Sequence, residues 1–457
     1  MAKRRNDKMV LGAFFHPTGH HVAAWLHPGS QPDAGVNFKH YVELAQSAEK
    51  AKFDLIFLAD ESAVRQGRME ALSRWPQYMA YFEPLTLLSA LAAVTTRIGL
   101  VATSTTSYNE PYSLARRYAS LDHISQGRAG WNVVTSGNAA ESLNFGRDQH
   151  YEHQDRYERA REFVDVVRGL WDSWDDDAFV RDRATARYFE PDKLHVLNHK
   201  DKYFSVKGPL NIARPPQGHP VIVQAGSSEV GKAFAAETAD VVFTLAQSLA
   251  QAKTFYDDVK GRMAEFGRSG NCLKILPGLN PIIGRSEAEA QEKYEQLESM
   301  IHPDVGLEVL STAFGGFDFS GLPLDGPLPD IPMNKNASQG HQLNALKMAR
   351  EENLTIRQLY LRYAGARGNR TVKGTPAQIV DQMEEWFLNE AVDGFLIQPP
   401  YLPGGLHEFI DLVMPELRRR GLARIEYTGR MLRDQLGLPR PASRYQPRVA
   451  KEEASVA

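Results

Sequence analysis

The stretch Val221-Ile222-Val223-Gln224-Ala225-Gly226-Ser227-Ser228-Glu229-Val230-Gly231 decides the fold. It opens as a short apolar run, the composition of a parallel strand buried on both faces. The run stops at Gly226-Ser227-Ser228, and a helical pattern starts at Glu229. Glycine lets a backbone approach a ligand closely, and a serine caps the helix that follows. Free amides and a positive dipole at such a helix start suit an anion, typically a phosphate; an ordinary capped turn is the plainer reading.

The same unit recurs outward in both directions. Strand-like runs lie at 9–15, 53–59, 97–103, 128–134, 221–225, 240–244, 273–284 and 393–398, eight in all. Helical patterns fit between and after them, at 38–51, 84–95, 111–124, 155–174, 229–238, 249–266, 286–300, 376–390 and 406–420. In 155–174, Tyr157, Ala160, Phe163, Val164, Val167, Leu170 and Trp171 form one apolar stripe. Eight β–α alternations without a hairpin-rich block predict an α/β chain folded as a (β/α)8 TIM barrel with insertions. A doubly wound open sheet is the alternative. We expect one barrel domain over 1–440, interrupted near 175–218 and 301–373. The first insertion carries Tyr203-Phe204-Ser205-Val206, read as a small hairpin, and the second a helix near 339–352. A loop as long as the second reads as a lid or an assembly element. Residues 441–457, rich in Pro, Ala and charge, read as an arm or a disordered tail.

Composition narrows the function. The 457 residues are 42% apolar with net charge −3, both signs interspersed, which predicts no attraction to nucleic acid or to an anionic membrane. The single Cys272 excludes an intrachain disulfide framework and any multi-cysteine metal site. No signal segment or membrane-length apolar run is visible, so a cytoplasmic setting is expected. His16, His20 and His21 form one histidine cluster and His150 with His153 another, but neither has HExxH spacing, and no metal is predicted. There is no GxGxxG after the first strand and no Walker loop.

A barrel concentrates chemistry at the C-terminal ends of its strands. There the chain places Asp60, Thr103, Asn132 and Asn138, and then the Gly-Ser-Ser loop. No Ser-His-Asp or Cys-His arrangement appears, and a polar, mostly uncharged mouth suits a large heteroaromatic ligand better than hydrolysis. His153 and Tyr157, four apart, share one helix face with Arg156 and Arg159 nearby, and this group could bind phosphate together with Ser227 and Ser228. A first turn of solvated polar residues is the plainer reading. His20 and His21, after the first strand, are candidates to line a substrate pocket.

Together these motifs resemble the bacterial-luciferase-like flavin monooxygenases, in the branch of nitrilotriacetate and EDTA monooxygenases, pristinamycin synthase, dibenzothiophene sulfone monooxygenase and long-chain alkane monooxygenase. The residues that carry the likeness are Lys52-Phe53-Asp54, Phe57-Leu58-Ala59-Asp60, Ser120-Leu121-Asp122-His123, Gly130-Trp131-Asn132-Val133-Val134-Thr135-Ser136 and Asn144-Phe145-Gly146. Glu152-His153 with Arg156-Tyr157, Val223-Gln224-Ala225-Gly226, Asp393-Gly394-Phe395 and Pro415-Glu416-Leu417 complete it. The resemblance implies an enzyme that uses reduced FMN (FMNH2), delivered by a separate NAD(P)H:flavin oxidoreductase, and O2 to oxygenate a small organic substrate, working as a homodimer or homotetramer. It implies that Asp60, Thr103 and Asn132 line the flavin ring or ribityl chain. By the same likeness His153, Tyr157, Ser227 and Ser228 hold its phosphate, and His21 and Asn138 face substrate as the catalytic-site residues.

Tyr108-Asn109-Glu110-Pro111-Tyr112, the run from Glu352 to Tyr360, and Pro399-Pro400-Tyr401-Leu402-Pro403 read most like the aminopolycarboxylate enzymes. Sulfone and alkane members carry a histidine three residues before the first tryptophan motif. This chain has Val22 before Trp25, with His21 one position earlier, which speaks against those substrates. Arg357, Arg362, Arg367, Arg370 and Lys373, at the end of the second insertion and beside the expected lid, suit carboxylates, so an amine bearing carboxylates and cleaved at C–N is expected. A thioether, sulfone or heteroaromatic substrate is the alternative within the family. A deazaflavin-dependent hydride transferase or a non-catalytic flavin-binding protein is the alternative outside it.

Overall fold

A computed structural model describes residues 7–333 and 339–445. Among these residues eleven strands occur: β1 Val10–Phe14, β2 Leu55–Leu58, β3 Gly99–Thr105, β4 Ala129–Val134, β5 His199–Lys200, β6 Ser205–Val206, β7 Val221–Gln224, β8 Val241–Thr244, β9 Lys274–Ile283, β10 Arg370–Gly374 and β11 Gly394–Ile397. Eight of them, β1, β2, β3, β4, β7, β8, β9 and β11, pair in parallel and in that order, and β11 returns to β1 to close the barrel. These are the eight expected strands, so the closed barrel holds and the open sheet does not.

The strands are apolar throughout because both faces are buried. Inside, Val10, Phe14, Leu55, Phe57, Val101, Val223 and Leu276 fill the barrel, with Leu432 and Leu436 packed against them. Outside, Leu11, Ile56, Leu100, Trp131 and Ile222 meet the helices. Alternate residues therefore serve two cores, which is why the period-two signal vanishes.

The insertions and the arm fill out the expected plan, and one of them adds a strand to it. The ten-residue β9 pairs with β8 over its first half and with β10 over its second, so β10 is a ninth parallel strand inside the expected insertion 301–373. Helices Pro303–Ala313, Gln339–Glu351 and Ile356–Ala366 precede it and share an apolar core of their own with Leu72 and Trp75. The first insertion carries the expected hairpin as β5–β6. The arm expected at 441–457 is described only to Tyr445, whose ring stacks on His195 at 4.4 Å. Arg444 N donates there to Asp172 Oδ2 (3.1 Å), and residues 446–457 lie outside the described residues.

Candidate functional site

All eight barrel strands end at one mouth, and its two sides differ in construction. On the β4–β7 side, the loop after β7 turns directly into helix Glu229–Thr238. Ser228 caps that helix, its Oγ accepting from Gly231 N at 3.2 Å. Gly226 and Gly231 touch back to back: a Cβ at Gly226 would sit 2.9 Å from Gly231 Cα and 3.3 Å from the Tyr157 hydroxyl oxygen. Only glycine lets strand end and helix start approach this closely. Around them lies a cavity of about 290 Å3 lined by Ser136, His153, Tyr157, Gly226, Ser227 and Ser228, with Gly340 of the second insertion above Ser227.

Four residues predicted for the phosphate group, His153, Tyr157, Ser227 and Ser228, thus meet in one place. The His153 ring lies 5.0 Å from that of Tyr157. Its pKa is lowered, first by burial and then by Arg156, so the imidazole is neutral at pH 7. The two arginines part company. Arg156 lines the cavity and binds His150 Nε2 (2.7 Å) and the Ser136 carbonyl. Arg159 turns into the protein, donating to Thr106 O (2.8 Å) over the ring of Phe204.

The centre of the mouth is a chain of hydrogen bonds across three strands. Asn132 Nδ2 donates to Thr103 Oγ1 (2.9 Å), which donates to Leu58 O (2.8 Å). Asn132 Oδ1 is buried and bonds nothing. A buried acceptor without a donor is costly, and a ligand N–H would relieve it. Asp60 accepts from the Tyr81 hydroxyl (2.7 Å), and burial raises its carboxyl to about 6. Glu141, which sequence reasoning missed, is raised by burial to about 7 and accepts from Ser136 Oγ (2.9 Å). Ser136 itself holds φ +55°, a left-handed conformation rare outside glycine and typical of sites where structure is held against strain. Asn138 is half-buried on the rim, its Nδ2 donating to Glu61 Oε2 (3.3 Å).

The β1–β2 side carries the histidines and one arginine. His16 stacks on Phe14 (4.8 Å) and lies 5.1 Å from His20. Burial, then Arg367, holds both well below the ordinary histidine pKa, so both are neutral. Asn369 Nδ2 donates to His20 Nε2 at 3.1 Å. His21 faces elsewhere. Its Nδ1 accepts from Ala23 N (3.2 Å), and its Nε2 lies 3.5 Å from Glu298 beside helix Ile356–Ala366. Of the two neighbouring histidines, His20 is therefore the one that packs with the aromatic groups of the mouth. The alternation of the loop after β1, which pairs with Pro399 and Pro400, decides between them.

The basic segment also divides. Arg357 pairs with Asp325 (2.8 Å), Arg362 with Glu352 (3.4 Å), and Lys373 with Gln291 (2.7 Å). Arg370 lies over Trp386 at 4.4 Å and bonds Gln382. Arg367 alone among the five is beside His16, His20, Tyr78, Arg65 and Glu61. No sequence signal separated it from its neighbours. Among the described residues no group of three His, Cys, Asp or Glu is placed to hold a metal ion, and no helix is long and apolar enough to cross a membrane.

The comparisons with known proteins agree with this architecture. The model of the luciferase-like monooxygenase family matches residues 14–393. Nitrilotriacetate monooxygenase component A of Aminobacter aminovorans is 51% identical over 442 residues, 95% of this chain and 98% of that protein. N-acetyl-S-(2-succino)cysteine monooxygenase of Bacillus subtilis is 49% identical over 442 residues, covering 96% and 99%. The crystal structure of riboflavin lyase with modified FMN and riboflavin superposes with a TM-score of 0.83 at 32% identity, covering 94% and 96%. The chain belongs to the luciferase-like monooxygenase family, and it is a monooxygenase with that family's barrel.

Proposed function

We propose that the chain is the oxygenase of a two-component system, taking FMNH2 from a separate NAD(P)H:flavin oxidoreductase. Its substrate is a small amine bearing carboxylates, which it cleaves at a C–N bond. The observation that carries the flavin half is the cavity between β4 and β7. The glycine contact leaves room for one phosphate at a helix N-terminus, and Tyr157, Ser227 and Ser228 supply hydroxyls to it. Ser228 Oγ accepts from Gly231 N and keeps its own proton to donate. Asn132 Oδ1, buried and unpaired, fits a ring N–H, with Thr103 and Asp60 beyond it. The groups present therefore fit FMN, whose single phosphate matches this one cavity.

Bound reduced FMN supplies two electrons for the reduction of dioxygen, one oxygen atom going to substrate and the other to water. Insertion into a C–H bond beside nitrogen hydroxylates one carboxymethyl arm of the amine. The resulting carbinolamine collapses, its C–N bond breaking to release the dealkylated amine and glyoxylate. The chain's own work is to bind, to orient and to exclude water. Asn138, on the rim, is assigned to the substrate side, and His20 takes the place there expected of His21. The substrate half rests on the relatives: one acts on nitrilotriacetate, a tertiary amine, and the other on a succinylated cysteine thioether, and both substrates are polycarboxylates. The words "component A" in the first name support a partner reductase here. A homodimer or homotetramer in the cytoplasm completes the reading; a 51.1 kDa monomer by light scattering would remove that part.

Anaerobic titration with FMNH2, FMN and FAD tests the flavin half, and FMNH2 should bind most tightly. Equal affinity for FAD and FMN would remove the pocket assignment. A coupled assay with an FMN reductase, NADH and oxygen, with mass detection of products from amines and thioethers, tests the chemistry.

A further inference from the structure

We infer that Arg367 grips the substrate carboxylate and that the enzyme selects substrates by this anionic group rather than by the heteroatom attacked. The inference rests on the oxygenase reading above only for the identity of the bound molecule as substrate.

Arg367 ends helix Ile356–Ala366 in the left-handed conformation, φ +51°, followed by Gly368 at φ +76°. A non-glycine residue in that conformation carries a steric cost. The turn brings the arginine to the same side of the mouth as His16, His20 and Tyr78. There its Nε and Nη1 are fully buried and bond nothing. Two other guanidinium groups of low exposure are answered directly by carboxylates. Arg65, next to it, is matched by Glu61 at 2.9 and 3.3 Å, and Arg433 by Asp240 at 2.7 and 3.2 Å.

Glu61 is the carboxylate facing this region, and Arg65 and Asn138 already occupy it. The two histidines facing Arg367 are neutral and add no negative charge. Burial, with the neighbouring Arg65 adding to it, lowers the Arg367 pKa to about 9 against the opposing pull of Tyr78 and Glu61. A buried guanidinium donor set left open costs stability, and an incoming carboxylate restores it through charge-assisted hydrogen bonds. Two further buried atoms in this corner, His20 Nδ1 and Asn369 Oδ1, also lack partners.

The site is separate from the flavin phosphate cavity, which lies between β4 and β7 and does not include Arg367. Its other walls are Phe14, Tyr78, His16 and His20. Neutral aromatic and imidazole rings contact an amine or a thioether alike. The charge at Arg367 is the discriminating element.

Calorimetric titration of succinate and iminodiacetate, and of their diamides, into the full chain with and without FMN reads the site without turnover. The dissociation constant of the dianions should rise at least about tenfold in Arg367→Met and recover in part in Arg367→Lys. The diamides should bind both proteins equally poorly. FMNH2 affinity in Arg367→Met should stay within about twofold of the parent. If Arg367→Met does not fold, Arg367→Gln serves in its place. Dianions that bind parent and variant alike, or that do not bind the parent at all, overturn the inference. So does a loss of FMNH2 affinity in the variant, which would give Arg367 to the flavin. In the coupled assay, KM for carboxylate amines and thioethers should rise while kcat holds. Arg367-dependent anion binding without any product would sink the oxygenase reading and leave this inference standing.

Discussion

The two sides of the mouth solve recognition by different means. The β4–β7 side is made from a contiguous turn, with glycine contact, serine hydroxyls and helix amides, all between Gln224 and Gly231. Two of its polar groups have partners within the fold: Ser228 caps its helix and Arg156 binds Ser136 O. The β1–β2 side is assembled from the loops after β1 and β2 and the residues before β10, and it leaves Arg367 and His20 with open positions. On the proposed reading the first side is a locally built turn that a ligand joins. The second holds one open charge, Arg367, beside neutral groups with open positions, which on the proposed reading a ligand completes. The first should therefore keep its shape when a ligand contact is lost, whereas the second should gain stability from its ligand.

The largest expected effect tests whether the two sides are independent. In Gly226→Val a side chain would meet Gly231 Cα at 2.9 Å and push the loop into the phosphate space. FMNH2 affinity should fall by roughly a hundredfold, the loss of about two charge-assisted hydrogen bonds. Succinate binding should be unchanged by calorimetry. If both ligands are lost together, the sides are one coupled unit.

A smaller effect separates ligand contact from helix cap. Ser228→Ala with Tyr157→Phe should weaken FMNH2 binding at least about tenfold. Because Ser228 Oγ accepts from Gly231 N, the apo protein should also lose about 1 kcal/mol of stability, which Tyr157→Phe alone should not cause. Denaturant melts of the single variants resolve the two. Unchanged FMNH2 affinity would reduce the serine to a cap.

The third probes the boundary between the sides through pH. Burial raises Glu141 from 4.5 to about 7. Between those values the folded state holds a proton that the unfolded chain releases. The stability Glu141 contributes is then complete below pH 4.5 and lost as pH rises through about 7. Relative to Glu141→Gln, the apo melting temperature should decline across that window. A constant difference would mean that the carboxyl ionises at its ordinary value.

The smallest effects fall on the arginines that the structure turns away. Arg357→Met and Arg362→Met break exposed pairs and should cost at most about 1 kcal/mol, with KM unchanged. Arg370→Met forfeits its contact over Trp386, about 0.5–1 kcal/mol, and should also leave KM alone. A raised KM in any of these would shift the anion grip away from Arg367.

The barrel could be read along the chain because its strands are buried on both faces and its turns are local. Each of the eight runs is apolar for a reason that operates within a few residues. β10 escaped because Arg370-Thr371-Val372-Lys373-Gly374 buries little beyond Val372 and Gly374, and it is a strand only by pairing with distant β9. The cavity-lining set was readable in the same local way: His153 and Tyr157 are spaced on one helix, the Gly-Ser-Ser turn follows a strand, and closure of the barrel brings them together.

The choice between His20 and His21, and between Arg367 and Arg370, was not readable. Adjacent residues and near neighbours share composition, and which of them turns inward depends on contacts more than 300 positions away, such as His20 with Asn369. The sequence alone determined the barrel, the turn that suits a phosphate and the family, because repeated patterns and contiguous motifs encode all three. Only the tertiary structure decided which charges are answered and which are left open. Pairing a buried charge is a property of the whole packed set of side chains, and no local pattern carries it.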